Sequence, residues 1–222
     1  MSIVQSLAIV LSAIVGAVIG LFLHRRLWRS LTRLAQAPRP GPLVQAAVTT
    51  ATALLVACAI AGEGVSLSGF AYAFFAIAAV QLSTIDWRLR ILPNVLVLPS
   101  ALLGLILLCA AAVFESRWDD LLRALAGATL LFLLYLALAL ASPTGMGMGD
   151  VKLALLVGLY LGFQGWTPLL WGAAAGFFIG AVAGVALLFA RRATLKSSVP
   201  FGPAMLGGAA IALILAGRVV LR

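Results

Sequence analysis

Long apolar runs alternate with short polar segments along almost the whole chain. A membrane-spanning helix needs about 20 mainly apolar residues, and eight runs approach or reach that length. They are Ile3–Leu23, Val44–Ala61, Gly69–Ile85, Val95–Phe114, Leu122–Ala141, Val151–Phe163, Pro168–Ala190 and Pro203–Val220. The pattern predicts an all-α, polytopic membrane protein of about eight transmembrane helices, in which residues 1–222 form a single domain. The sixth run is short, so its helix is expected to begin inside the preceding loop.

The composition supports a membrane protein. Hydrophobic residues make up 64% of the 222 residues and charged residues 9%, whereas a soluble domain carries about 25% charged and 45–50% apolar residues. No polar stretch is long enough for a separate soluble domain. The first run has neither a positive segment before it nor an evident cleavage site, so it is expected to be a retained span.

The basic residues predict the orientation. Eleven of the fifteen Lys and Arg fall in the odd-numbered loops and four on the other side, which places the odd loops in the cytoplasm and both termini outside. Residues 24–42 form a short basic cytoplasmic loop, either an amphipathic helix on anionic lipid or a solvated connector. His24 at its start is expected at the membrane interface. Nucleic-acid binding is not expected, because no basic face is interleaved with aromatic residues.

Few residues could bind a metal ion. Cys58 and Cys109 lie in separate apolar runs, and His24 is the single histidine. Protein zinc sites need clustered ligands, so no metal site is expected. The two cysteines are expected to be small buried side chains.

The acidic residues suggest chemistry. Of six acids, only Asp86 and Asp150 fall on the predicted cytoplasmic side, and each adjoins an apolar run. An ionisable group at the edge of the hydrocarbon usually marks a functional site. Two neighbouring carboxyls that share a proton across a water are the chemistry of aspartyl proteases, since like charges split their titration into two coupled steps. Alternatively, Asp86 pairs with Arg88 or Arg90, and Asp150 is only a helix N-terminal acid.

Turn residues surround both aspartates. Gly145, Gly147 and Gly149 precede or flank Asp150, and glycine allows a peptide to approach the backbone closely. The segment is therefore a candidate substrate groove or a simple turn. Pro93 and Asn94 mark the start of the fourth span. Lys152 is either a snorkelling anchor or a substrate contact.

Three blocks carry a resemblance to a known family. They are Asp86 with the later Ile91-Leu92-Pro93-Asn94, Gly147-Met148-Gly149-Asp150-Val151-Lys152-Leu153, and Pro200-Phe201-Gly202-Pro203. Together they resemble the type IV prepilin peptidases, polytopic aspartyl proteases that carry a GxGD motif. A weaker similarity covers the N-terminal segment from Gly20 to Leu27.

The resemblance implies cleavage of the basic leader of prepilin or pseudopilin substrates at the cytoplasmic face of the bacterial inner membrane, in contact with lipid. It implies that Asp86 and Asp150 are the catalytic pair, that Gly147, Gly149, Lys152, Pro93 and Asn94 serve the substrate, and that no metal takes part. Many members have zinc-binding cysteines in the first loop, and some methylate the new N-terminus with S-adenosylmethionine. The loop here has no cysteine, so that cofactor is expected only if methylation is retained.

Two other functions remain open. A small ion- or proton-coupled transporter could use the same two carboxylates with broken helices at residues 145–149. A non-catalytic assembly partner of a secretion system is the third hypothesis. The sequence does not indicate an oligomeric state or a particular pilus or secretion system.

Overall fold

The computed structural model describes residues 3–35, 38–141, 146–189 and 200–220. Within these ranges the chain forms eight α-helices and no strands. They are α1 (Ile3–Ala35), α2 (Pro42–Glu63), α3 (Leu67–Leu89), α4 (Asn94–Phe114), α5 (Trp118–Ala141), α6 (Met148–Gln164), α7 (Trp166–Phe189) and α8 (Gly202–Val220). The predicted all-α fold is confirmed.

Six of the described helices, α1 to α5 and α7, are long and apolar enough to cross a membrane. Helix α6 has 17 residues, as its short apolar run predicts, and it begins at Met148 in the preceding segment. The protein is therefore a multi-pass membrane protein. Many large apolar side chains on α1, α4, α5 and α7 are exposed, as expected for surfaces that face lipid.

The predicted loop at residues 24–42 is in large part helical, which corrects its boundary. Helix α1 continues to Ala35, because no proline or glycine interrupts the sequence between Gly20 and Pro38. His24, expected at a helix end, lies inside α1 instead, and its position at the membrane interface stays a prediction. His24 is 1% exposed, and its Nδ1 lies 3.2 Å from Gln81 Oε1 on α3. The side chain is buried because α1 packs against α3 at this point.

Helix α6 forms the centre of the bundle, in contact with α4, α5, α7 and α8. Its residues from Val151 to Phe163 are mostly buried, as expected for a helix that is apolar on nearly all sides. Glycines permit its close packing on α5: a Cβ on Gly158 would lie 2.7 Å from the Ala128 Cα. Small residues at helix contacts are typical of membrane bundles.

A group of acidic residues from other segments lies near the start of α3, far from Asp86 at the end of that helix. Glu115 Oε1 accepts a hydrogen bond of 2.8 Å from the Ser68 N–H, whereas Asp86 lies 18 residues further along α3, about 27 Å away. Arg117 bonds Glu63 at 3.0 Å and Asp120 at 2.6 Å. Burial lowers the pKa of Arg117, but these carboxylates outweigh it and raise that pKa.

The two cysteines are less buried than expected. Cys58 on α2 is exposed and Cys109 on α4 is partly exposed. The prediction of burial is therefore wrong for Cys58, because an apolar run in a membrane protein can face lipid as readily as the core.

Candidate active site

Asp86 lies in the last turn of α3 and is 5% exposed. Its Oδ2 accepts a hydrogen bond of 3.0 Å from the backbone N–H of Gly202. Among the described residues, Asp86 takes part in no salt bridge. The guanidinium of Arg88 lies over the Trp28 ring, 5.8 Å from its centroid. The alternative in which Asp86 pairs with Arg88 or Arg90 is therefore wrong.

Gly202 is the first residue of α8, so its partner carboxylate lies at a helix N-terminus. Free N–H groups and the helix dipole stabilise negative charge there. The position also requires glycine, because a Cβ on residue 202 would lie 2.7 Å from Asp86 Oδ2. The turn before α8 thus places a hydrogen-bond donor directly on the carboxylate.

Asp150 lies in the first turn of α6. Gly147 precedes the helix in an extended conformation (φ −82°, ψ 149°), and its carbonyl accepts a 3.0 Å hydrogen bond from the Asp150 N–H. Gly149, next to Asp150, packs on Leu92 in the segment that follows α3, which places the Asp150 carboxyl within electrostatic range of Asp86. The structure therefore brings together the two aspartates that the sequence singled out, at the start of α6 and the end of α3.

The other predicted residues join these two segments. A Cβ on Gly149 would lie 2.8 Å from the Leu92 Cβ, so this glycine permits close packing of α6 on the segment before α4. Lys152 Nζ donates a hydrogen bond of 2.8 Å to Asn94 Oδ1. Pro93 precedes α4 as its N-cap. Gly145 lies outside the described residues, and whether the others contact a substrate stays a prediction.

Two residues near the pair were not identified from the sequence. The sequence places Gly202 only in a turn before the last span. Its contact with Asp86 cannot be predicted from the sequence, because it depends on the tertiary fold. Tyr135 is 1% exposed, stacks on Phe177 at 5.2 Å and has a hydroxyl without a hydrogen-bond partner among the described residues. The Tyr135 ring also lies 6.0 Å from that of Phe201, next to Gly202, and its phenol is within electrostatic range of Asp150. A tyrosine inside the apolar run of α5 gives no sequence signal for such a position.

Metal ligands do not cluster in the described ranges: no group of three or more His, Cys, Asp or Glu side chains could hold an ion. A reaction without a metal or other cofactor stays a prediction. The arrangement places two carboxyls within electrostatic range of each other, one at the end of α3 and one at the start of α6. Such a pair is suited to acid–base activation of water.

The sequence pattern of the Type IV leader peptidase family matches residues 73–189, just over half of the chain. The chain belongs to the type IV leader peptidase family. The matched range includes both Asp86 and Asp150 and ends before the turn that contains Gly202. This membership confirms the resemblance drawn from the three blocks and gives no support to the transporter hypothesis.

Several curated proteins named prepilin leader peptidase/N-methyltransferase are similar to the chain. The one from Pseudomonas aeruginosa is 35% identical over 136 residues, which cover 61% of this chain and 46% of that protein. The one from Aeromonas hydrophila is 34% identical with the same coverage. The one from Bacillus subtilis is 30% identical over 76% of this chain and 65% of that protein.

The chain thus spans about half to two thirds of the length of these relatives. No solved structure gives a significant match.

Proposed function

We propose that this protein is an aspartyl endopeptidase that removes the basic leader from type IV prepilin-like proteins. The observation that carries the proposal is the placement of Asp86 and Asp150 at one end of the bundle, where Gly149 packs on Leu92 and Gly202 contacts Asp86. Family membership and relatives named as prepilin leader peptidases support the substrate class. The substrate would be a prepilin or pseudopilin.

The mechanism follows from the proximity of two like charges. One carboxylate is ionised and takes a proton from water, while the other is protonated and donates a hydrogen bond to the scissile carbonyl. The Asp86 carboxylate accepts a hydrogen bond from the N-terminus of α8, and Asp150 lies in the first turn of α6. Either can therefore carry the single negative charge, and the proton can change sides between the two steps of hydrolysis.

We place the reaction at the cytoplasmic face of the bacterial inner membrane. The excess of Lys and Arg in the loops at the Asp86 end supports this orientation. The basic leader would then reach the aspartates from the cytoplasm while the apolar stem stays in the bilayer. S-adenosylmethionine is needed only if the protein also methylates the new N-terminus.

The test is the replacement of each aspartate by asparagine, with prepilin processing measured by mass spectrometry of the co-expressed substrate. Asn keeps the size of the side chain but cannot exchange a proton. We expect Asp86→Asn and Asp150→Asn each to lower cleavage by at least about a hundredfold. Asp119→Asn is the control, because Asp119 is exposed in the first turn of α5.

The same spectra report any added methyl group. Cleavage at a near wild-type rate by either active-site variant, at normal expression, would contradict the paired-aspartate mechanism. A wild-type protein that cleaves no leader would instead support the non-catalytic assembly partner.

A further inference from the structure

A groove between α2, α3 and α8 begins beside Asp86 and runs along the bundle toward Glu63. Its wider part, about 560 Å³, is bordered by Val44, Trp87 and Pro203, the residue that follows Gly202. Its narrower part, about 60 Å³, continues to Glu63 and Gly217. The two parts adjoin, since both are lined by Leu55, Ala79 and Ala210, and together we call them the α2–α3–α8 groove.

The groove has the length of a membrane span. On α2 its lining extends from Leu43 to Gly62, which corresponds to about 28 Å of helix, close to the hydrocarbon thickness of about 30 Å. The space between α2 and α8 narrows toward the far end, where a Cβ on Gly62 would lie 3.6 Å from the Gly217 Cα. The widest opening therefore lies at the end with Asp86.

The walls of the wide part suit a helix. They carry many small side chains, which let a second helix approach closely: Ala47, Ala51, Ala79, Gly207 and Ala210. The Thr84 hydroxyl donates to the Val80 carbonyl at 2.7 Å, so it needs no partner in the groove. The lining of the wide part has no acidic side chain and is mostly apolar, with Arg88 and Ser83 near its Asp86 end.

We propose that the α2–α3–α8 groove holds the apolar stem of the substrate during cleavage. The inference rests on the proposed function, because a peptide bond held at Asp86 and Asp150 must continue directly into a membrane-spanning segment. A larger groove of about 710 Å³ lies between α1, α2, α3 and α4. Its lining ends at Leu82, Leu96 and Leu27 and does not include the turn at Gly202 and Pro203 that contacts Asp86.

Two neighbouring alanines on α2 give a matched test. Ala47 lines the groove, whereas Ala46 is exposed and is not part of its lining. Ala47→Trp and Ala51→Trp fill the wide part, and Ala46→Trp is the control. Each variant is assayed with a complete prepilin and with a short peptide that contains the leader and a few residues beyond the scissile bond.

We expect the two groove variants to cleave complete prepilin at least about tenfold more slowly, because overpacking excludes the stem. The short peptide and the Ala46→Trp control should stay within about twofold of wild type. Equal losses on both substrates, or no loss on either, would overturn the groove proposal. Wild-type protein that cleaves neither substrate would overturn the proposed function itself.

Cys58 offers a second measurement, since it is exposed and lines the narrow part. Cys58 lies 14 residues beyond Val44 along α2. A helical stem that runs alongside α2, with its scissile bond level with Val44, should therefore place a single cysteine about 14 residues after that bond beside Cys58. In Cys109→Ser protein, a mild copper oxidant should then form a disulfide between substrate and Cys58. A Cys58–Cys58 dimer would indicate a second copy in the groove, and no cross-link would indicate lipid alone; both results contradict the proposal.

Discussion

Replacement of Gly202 by alanine should impair the active site while leaving both aspartates in place. The added methyl group would lie 2.7 Å from Asp86 Oδ2 and 3.3 Å from its Cγ. Carbon and oxygen atoms do not approach so closely without repulsion, so the carboxylate must rotate or α8 must move. Either change lengthens the 3.0 Å hydrogen bond from the Gly202 N–H.

The size of the effect follows from that hydrogen bond. A hydrogen bond to a charged group contributes about 1.5–3 kcal/mol, and each 1.36 kcal/mol of transition-state stabilisation is a factor of about ten in rate. Loss of the bond during catalysis therefore predicts a decrease in kcat of about tenfold to a hundredfold. The change in KM should be smaller, because Gly202 contacts Asp86 rather than a distant part of the substrate.

The assay compares Gly202→Ala with Gly184→Ala in purified protein, using cleavage of a leader-bearing substrate. Gly184 lies in α7, where an added Cβ meets no atom within 4 Å, so this control should retain wild-type activity. Both variants should have the same elution volume and the same melting temperature as the wild-type protein. If Gly202→Ala cleaves as fast as Gly184→Ala, the Gly202–Asp86 contact has no role in catalysis and our view of the site is wrong.

Three further substitutions test other contacts. Tyr135→Phe should lower kcat by about threefold to tenfold without a change in melting temperature, because only a hydroxyl near Asp150 is lost. Lys152→Met and Asn94→Ala form a double-mutant cycle that tests whether their hydrogen bond positions α6. In that case, kcat/KM of the single and combined variants should give a coupling energy of about 1 kcal/mol. Additive effects would instead support a direct substrate contact by Lys152. Arg117→Met should lower the free energy of unfolding by about 1–3 kcal/mol, measured by thermal melting in detergent, and leave kcat of the folded protein unchanged.

The apolar pattern predicts the number and order of the helices well. Eight runs became eight described helices, because in a bilayer each backbone polar group must be bonded within its own helix. The position of the acids also singles out Asp86 and Asp150, which the fold places at one end of the bundle, because a carboxylate at the edge of the hydrocarbon is costly; their catalytic role stays a prediction. Both inferences depend on local composition and on the solvent, which the sequence reveals directly.

Contacts between distant segments were less predictable. The burial of His24 depends on Gln81 of α3, whose amide also donates to the Gly20 carbonyl at 3.1 Å. The role of Gly202 depends on a residue 116 positions away. Hydrophobic periodicity reports which face of a helix is apolar, but it does not report which neighbour covers that face. For this reason Tyr135 was indistinguishable from an ordinary core residue.

The arrangement of cations near the aspartates is compatible with the proton sharing that we propose for the pair. A salt bridge to Arg88 or Lys152 would hold one carboxylate permanently ionised and would oppose the shared proton. Arg88 instead lies over the Trp28 ring, and Lys152 bonds Asn94 at 2.8 Å. The N-termini of α6 and α8 supply partial positive charge, which stabilises a single negative charge on the pair without neutralising it. In the proposed mechanism, the helix termini would therefore leave one proton free to move between Asp86 and Asp150, which a lysine or arginine at the same place would oppose.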